Sequence, residues 1–138
     1  MGLPSVGGGY QFNDGNLDEV VIGAVPVPAT AVNTATLTVN QLTNGIILGS
    51  PTAAAAYTLP LATTLDNTLT NSKPGSTFDF RIINVTGTGI ITVTTNTGWS
   101  IGSSGSQGLM TVAATAGLVR SFRARKTNDG AWVLYAIS

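Results

Sequence analysis

The sequence predicts a mainly β protein: a compact β-sandwich or partly closed barrel, jelly-roll-like, with one short helix and an extended N-terminal arm. Three observations carry this. About seven or eight short runs rich in Thr, Val and Ile are separated by glycine-containing turns. Leucines recur at a spacing of four in a single place, Leu61, Leu65 and Leu69. The first part of the chain is of another kind, dominated by glycine, proline and scattered apolar residues.

Residues 1–35 read as an arm and linker, and residues 36–138 as the β domain. The stretch SVGGGYQFNDGN sets Tyr10 and Phe12 among glycines. It is not a dinucleotide loop, because no strand precedes Gly7 and no helix follows. It is not a calcium loop of the twelve-residue class either. Counting back from Gly15 puts Tyr10 and Phe12 where oxygen ligands belong. LDEVVIGAV follows, a short strand from Val20 to Ala24 or an interface segment, and then PVPATAVNTA. Its prolines 26 and 28 favour extended backbone and suit a linker.

From Thr36 the strands begin. TLTVNQL alternates apolar residues with Thr and Asn until Leu42 breaks the phase, and Asn44-Gly45 reads as a turn before IIL. Ala53 to Leu61 follows a Ser-Pro breaker and ends beside Pro60, as an extended edge would. The helix over the leucine stripe stops at Asn71 and the Lys73-Pro74-Gly75 turn. STFDFRIINV places Phe78, Phe80 and Ile82 on one face and Asp79 and Arg81 on the other, a half-buried strand. IITVTT, LMTVAAT and VRSFRARKT continue the series. The last of these forms a hairpin with AWVLYAI around Asn128-Asp129-Gly130.

Composition removes several classes of function. The chain has 138 residues, no histidine, no cysteine, and six charges of each sign. Ser-His-Asp and Cys-His nucleophilic sites, zinc sites built on Cys or His, and disulfide frameworks are therefore excluded. Zero net charge offers no broad field for nucleic acid or an anionic membrane. No apolar run reaches the ~18–20 residues that span a bilayer. MGLPSV lacks the basic start of a signal peptide, so the expectation is a soluble, unprocessed chain made in the cytoplasm. A carboxylate pair such as Asp66 and Asp79 is the one hydrolytic arrangement left to weigh. Nothing else suggests an enzyme, and no cofactor or metal is expected.

Two features point to protein partners. Arg120, Arg123, Arg125 and Lys126 gather most of the positive charge in one strand, and Arg123 and Arg125 share a face suited to an acidic neighbour. AWVLYAI is apolar on both faces, so Val133 and Tyr135 need a cover beyond the core that takes Trp132 and Leu134. Arg123, Arg125, Val133 and Tyr135 are accordingly the expected subunit interface. Trp99, beside a glycine-rich loop, is the candidate platform for a glycan.

Taken in order, GGGYQFNDGN, EVVIG, TATLTV, PTAAAAYTLP, GSTFDFRIIN, ITVTTNTGW, SFRARKT and AWVLYAI resemble the head decoration proteins of tailed bacteriophages, the small cement or minor capsid proteins. The resemblance runs from Gly7 to Ile137. It implies a non-enzymatic structural virion protein on the outer capsid surface, commonly a homotrimer, whose partner is the major capsid protein. Such a protein ties neighbouring capsid subunits together and stabilises the head. The resemblance also implies that the arm, through Tyr10, Phe12, Leu17, Val20, Val21 and Ile22, contacts the capsid or a neighbouring copy. The alternative reading is a glycan- or receptor-binding module of a phage fibre or tail.

Overall fold

The computed structural model describes residues 23–101 and 107–138. Along the chain the elements are β1 (Ala29–Ala31), β2 (Ala35–Thr36), α1 (Val39–Asn44), β3 (Ile46–Gly49), β4 (Ala55–Thr58) and α2 (Ala62–Thr68). They continue with β5 (Thr77–Asn84), β6 (Ile91–Thr94), β7 (Trp99–Ser100), β8 (Thr111–Val112), β9 (Leu118–Asn128) and β10 (Ala131–Ala136). The β-rich expectation stands. Two mixed sheets are formed, one in the order β1-β3-β5-β9-β10-β7 and the other in the order β2-β4-β6-β8.

The first six strands alternate between the sheets. Each lies parallel to the strand two places before it: β1, β3 and β5 in the larger sheet, β2, β4 and β6 in the smaller. The chain thus winds through three stacked coils, and each coil gives one strand to each sheet. Parallel neighbours need a crossover connection, and here the crossover runs through the opposite sheet. At β5 the pairing changes. β9 runs antiparallel to β5 from Thr77↔Arg125 to Asn84↔Leu118, and β10 folds back antiparallel on β9.

The corners between the sheets are tied coil to coil by side chains. Asn33 Oδ1 accepts from the Thr52 amide and hydroxyl at 3.1 Å each, and the Thr34 hydroxyl accepts from the Ala56 amide at 3.1 Å. The third corner centres on Asn84, which is fully buried. Its amide donates to the Gly89 and Ala113 carbonyls at 2.8 and 3.1 Å, and its Oδ1 accepts from the Gly87 amide at 2.9 Å. Gly89 lets this corner sit directly on the one below. A Cβ there would collide with the Ala53 carbonyl.

One core lies between the sheets, drawing Phe80, Ile82 and Phe122 from the larger, Tyr57 and Val93 from the smaller, and Leu42 and Leu65 from the helices. Phe80 and Phe122 are opposite one another in the ladder and stack with centroids 5.2 Å apart. Burying a side chain of this size contributes about 1.5–3 kcal/mol.

Three expectations are corrected. The strand expected over TLTVNQL is largely the helix α1, so the described residues hold two short helices rather than one. Thr38 and Gln41 form a reciprocal capping box, and Gly45, at φ 99°, closes the helix in the left-handed region. The Asn44-Gly45 pair is therefore a helix end, and the helical phase of Val39 and Leu42 outweighs the strand-like Leu37–Val39 alternation. The arm boundary also moves. Residues 29–35, read as linker, supply β1 and the first residue of β2 to the first coil, where Tyr57 donates from its hydroxyl to the Ala31 and Val32 carbonyls at 3.0 Å. The pairing, finally, is part parallel, unlike the antiparallel ladders of a jelly roll.

Asn84→Ala is expected to lower unfolding free energy by about 1–3 kcal/mol by leaving buried backbone groups unpaired. Phe80→Ala is expected to lower it by about 3–5 kcal/mol through loss of packing. Urea unfolding followed by tryptophan fluorescence reads both, and an Asn84→Ala variant as stable as wild type would refute the corner's role.

Candidate interaction surface

Because side chains alternate along a strand, the residues of β5, β9 and β10 that do not enter the core share one outward face. The register sets them in rows. Thr77, Arg125, Val133 and Ser100 lie across four strands, and Asp79, Arg123 and Tyr135 form the next row. Beyond them come Ile46, Arg81 and Ser121, then Leu48, Ile83 and Val119. The four residues expected at a subunit interface, Arg123, Arg125, Val133 and Tyr135, are thus brought together as two adjacent cross-strand pairs. Arg123 and Arg125 are exposed, and Val133 and Tyr135 are half-buried.

Arg123 and Asp79 make a two-pronged ion pair, Nε to Oδ1 at 2.7 Å and Nη2 to Oδ2 at 3.0 Å. The guanidinium hydrogen bond holds the Asp79 carboxyl below the usual carboxylate range, and the same bond raises Arg123. Half-exposed pairs of this kind add little to stability. The pairing instead fixes a planar, charged group beside Tyr135. Asp79 is the one acid that the described residues place on this face, against Arg81, Arg123 and Arg125. Aliphatic surface flanks the charges, with Val119 43% and Ile46 37% exposed. Arginine and tyrosine beside exposed aliphatics are the composition of a protein contact.

The inner side of the same strands shows a different use of charge. Lys126 points inward and is only 3% exposed. Its ammonium lies 3.1 Å from Asp66 Oδ1 and 3.2 Å from Asp129 Oδ1, and 3.2 Å from the Ser72 hydroxyl. Asp66, on α2, also accepts from the Trp132 indole at 2.9 Å and from the Gly130 amide. Desolvation pushes the Asp66 carboxyl up, but the Gly130, Trp132 and Lys126 hydrogen bonds outweigh it and hold it below its ordinary value. For Lys126 desolvation acts downward and is outweighed by the bonds it donates to Asp66 and Asp129, so its value is raised. The two carboxylates weighed for hydrolysis, Asp66 and Asp79, are each committed to a cation on a different side of the sheet.

Trp99 does not form an open platform. It is buried, donates from Nε1 to the Pro60 carbonyl at 2.7 Å, and packs on Trp132 with centroids 6.0 Å apart. A strand of alternating burial, Trp99 in and Ser100 out, places it in the core. A groove of about 540 Å³ opens between the N-terminal ends of α1 and α2, over Leu37, Val39, Leu61 and Thr64. None of the described residues lining it is ionisable. The arm residues Tyr10, Phe12, Leu17, Val20, Val21 and Ile22 lie outside the described residues. The aliphatic rows through Ile46, Leu48, Ile83 and Val119 were missed by sequence reasoning. Their signal was the polar-poor outer phase of IIL and RIINV.

Stability is expected to be flat between about pH 5 and 9. Asp66 and Asp79 have lowered values when folded, so their contribution is present above the ordinary carboxylate value of about 3.9 and is lost as pH falls through the lowered one. Lys126 is raised, so its contribution is lost as pH rises through its folded value, above the ordinary 10.4 or so. Thermal unfolding against pH checks this. Asp66→Asn should lower the plateau and flatten the acid limb, and an unchanged acid limb would contradict the assignment. No family model, no curated protein and no solved structure matches the chain.

Proposed function

We propose that the chain is a structural virion protein that binds the outer surface of a phage capsid and cements neighbouring major capsid subunits, without catalysis. The observation that carries the reading is the outward face of the larger sheet, where Arg123, Arg125, Val133 and Tyr135 converge beside exposed aliphatic side chains. A sheet face of this composition suits contact with a protein better than capture of a small molecule. The order of sequence strings that resembles phage head decoration proteins supplies the partner.

The role follows from simple energetics. Ordering an arm on a capsid subunit or a neighbouring copy costs roughly 1–2 kcal/mol per residue, and more at glycines. Apolar anchors at Tyr10, Phe12, Leu17 and Val20–Ile22 offset part of that cost, each by about 1.5–3 kcal/mol when fully buried. Main-chain pairing along the partner's strand edge supplies more. A homotrimer presents its capsid contacts three at a time, and the second and third attachments are then intramolecular. The glycan-binding alternative loses the side chain that motivated it, since Trp99 is buried.

Deleting residues 1–24 should leave the β body folded and abolish binding to empty capsid shells in a co-sedimentation assay. Full retention of binding by the truncated protein would sink the arm's part in the proposal.

A further inference from the structure

The charge balance of the chain is a cancellation between two parts. Residues 1–22 carry Asp14, Asp18 and Glu19 and no Lys or Arg. Residues 23–138 carry all six basic side chains against three acidic ones, Asp66, Asp79 and Asp129. Two of those three acids, Asp66 and Asp129, are held by Lys126. Of the five remaining cations, Lys73 and Arg120 lie elsewhere, and Arg81, Arg123 and Arg125 share the single carboxylate of Asp79 on the outward face of the larger sheet, which is therefore net basic. The acidic stretch is also the one with Tyr10, Phe12, Leu17, Val20, Val21 and Ile22. The face offers aliphatic and aromatic surface between its arginines. The two match in both charge and apolarity.

We propose that this face is the docking site for residues 10–22 of a second copy of the chain, so that each copy's acidic arm lies on the basic face of the next and the copies close into a ring. The inference rests on the reading of the protein as a self-assembling structural subunit, and it names the contact. Two such faces repel one another, so a two-fold pairing of face on face is disfavoured. An arm-to-face contact is heterologous, and heterologous contacts that close make rings.

The described chain favours a neighbour over the arm's own body. Residues 23–28 are exposed throughout, with Val25 81% and Val27 83% exposed, so they do not turn back onto the sheet. Asn44 donates to the Val27 carbonyl at 2.7 Å beside α1, and prolines 26 and 28 keep this stretch extended. The chain enters at β1, the edge strand farthest from β9 and β10 but for the intervening β3 and β5. Between Glu19 and Ala29 it can span at most about 36 Å, so the acidic residues are not held to their own body by chain length.

Native mass spectrometry and sedimentation of the full-length protein test this. Wild type should be a closed oligomer that dissociates toward single chains as salt rises to about 1 M, where screening acts within ~3 Å. The arm variant Asp14→Asn, Asp18→Asn, Glu19→Gln and the face variant Arg123→Glu, Arg125→Glu should each shift to the single-chain mass with an unchanged circular dichroism spectrum. Combining Arg123→Glu and Arg125→Glu with Asp14→Lys, Asp18→Lys and Glu19→Lys should restore the oligomer. Should the face variant fail to fold, the arm variant decides, since its changes lie outside the described residues.

A nitroxide on Gln11→Cys, in a chain with no other cysteine, should broaden Arg123 and Tyr135 amides of an untagged, isotope-labelled partner in a mixed sample. A single-chain wild type, an oligomer indifferent to both charge sets, or broadening confined to the tagged molecule itself would each overturn the proposal. An oligomer with this contact that ignores capsid shells would leave it standing while removing the capsid role.

Discussion

The buried ammonium of Lys126 governs much of how this molecule is put together. An isolated charge taken out of water costs several kcal/mol, and only good geometry with further hydrogen bonds compensates it. Here compensation comes from three separate parts of the chain: Asp66 on α2, Ser72 in the loop after it, and Asp129 in the turn of the last hairpin. Asp66 then takes the Trp132 indole as well, which fixes the ring that Phe78 and Trp99 pack against, with centroids 5.7 and 6.0 Å from it. The helix between β4 and β5 is in this way fastened to the β9–β10 hairpin. This tie adds to the β5–β9 ladder, the β10–β7 pairing and the core packing of Phe122 and Leu134.

The coils themselves rest on a second economy. Each corner leaves backbone groups that no strand can pair, and short polar side chains at Asn33, Thr34 and Asn84 take them up. This explains a composition rich in Thr and Asn and poor in charge. Neutral groups satisfy corner backbone without bringing another ion to be solvated.

The second half of the fold was legible because its signals are local. Strict alternation marked β5, the leucine spacing marked α2, and Asn128-Asp129-Gly130 marked the last hairpin. The first half was not. β1 and β2 are too short to show a period, and parallel pairing through an opposite sheet leaves no turn signature between paired strands. At α1 the capping pair Thr38 and Gln41 was present, but the Leu37–Val39 alternation masked it. For the interaction surface, AWVLYAI announced a second covered side, and the arginine spacing placed two charges on it. The aliphatic rows came from Ile46 and Leu48, whose facing depends on a register fixed far away in the chain. Trp99 misled because a glycine-rich loop beside an aromatic residue says nothing of which side of a strand the ring takes.

The stacking order of the larger sheet bears on how the protein is made. Strands β1, β3 and β5 leave the ribosome first, yet β5 gains its longest partner only when β9 follows, and Asp66 meets the Trp132 indole across 66 residues of chain. Contacts of such sequence separation form late and slow folding. The early coils therefore wait, with apolar faces uncovered, for the final strands. Their brevity and the threonines on the outer face of the smaller sheet, Thr58, Thr92 and Thr94, limit pairing between nascent chains during that interval.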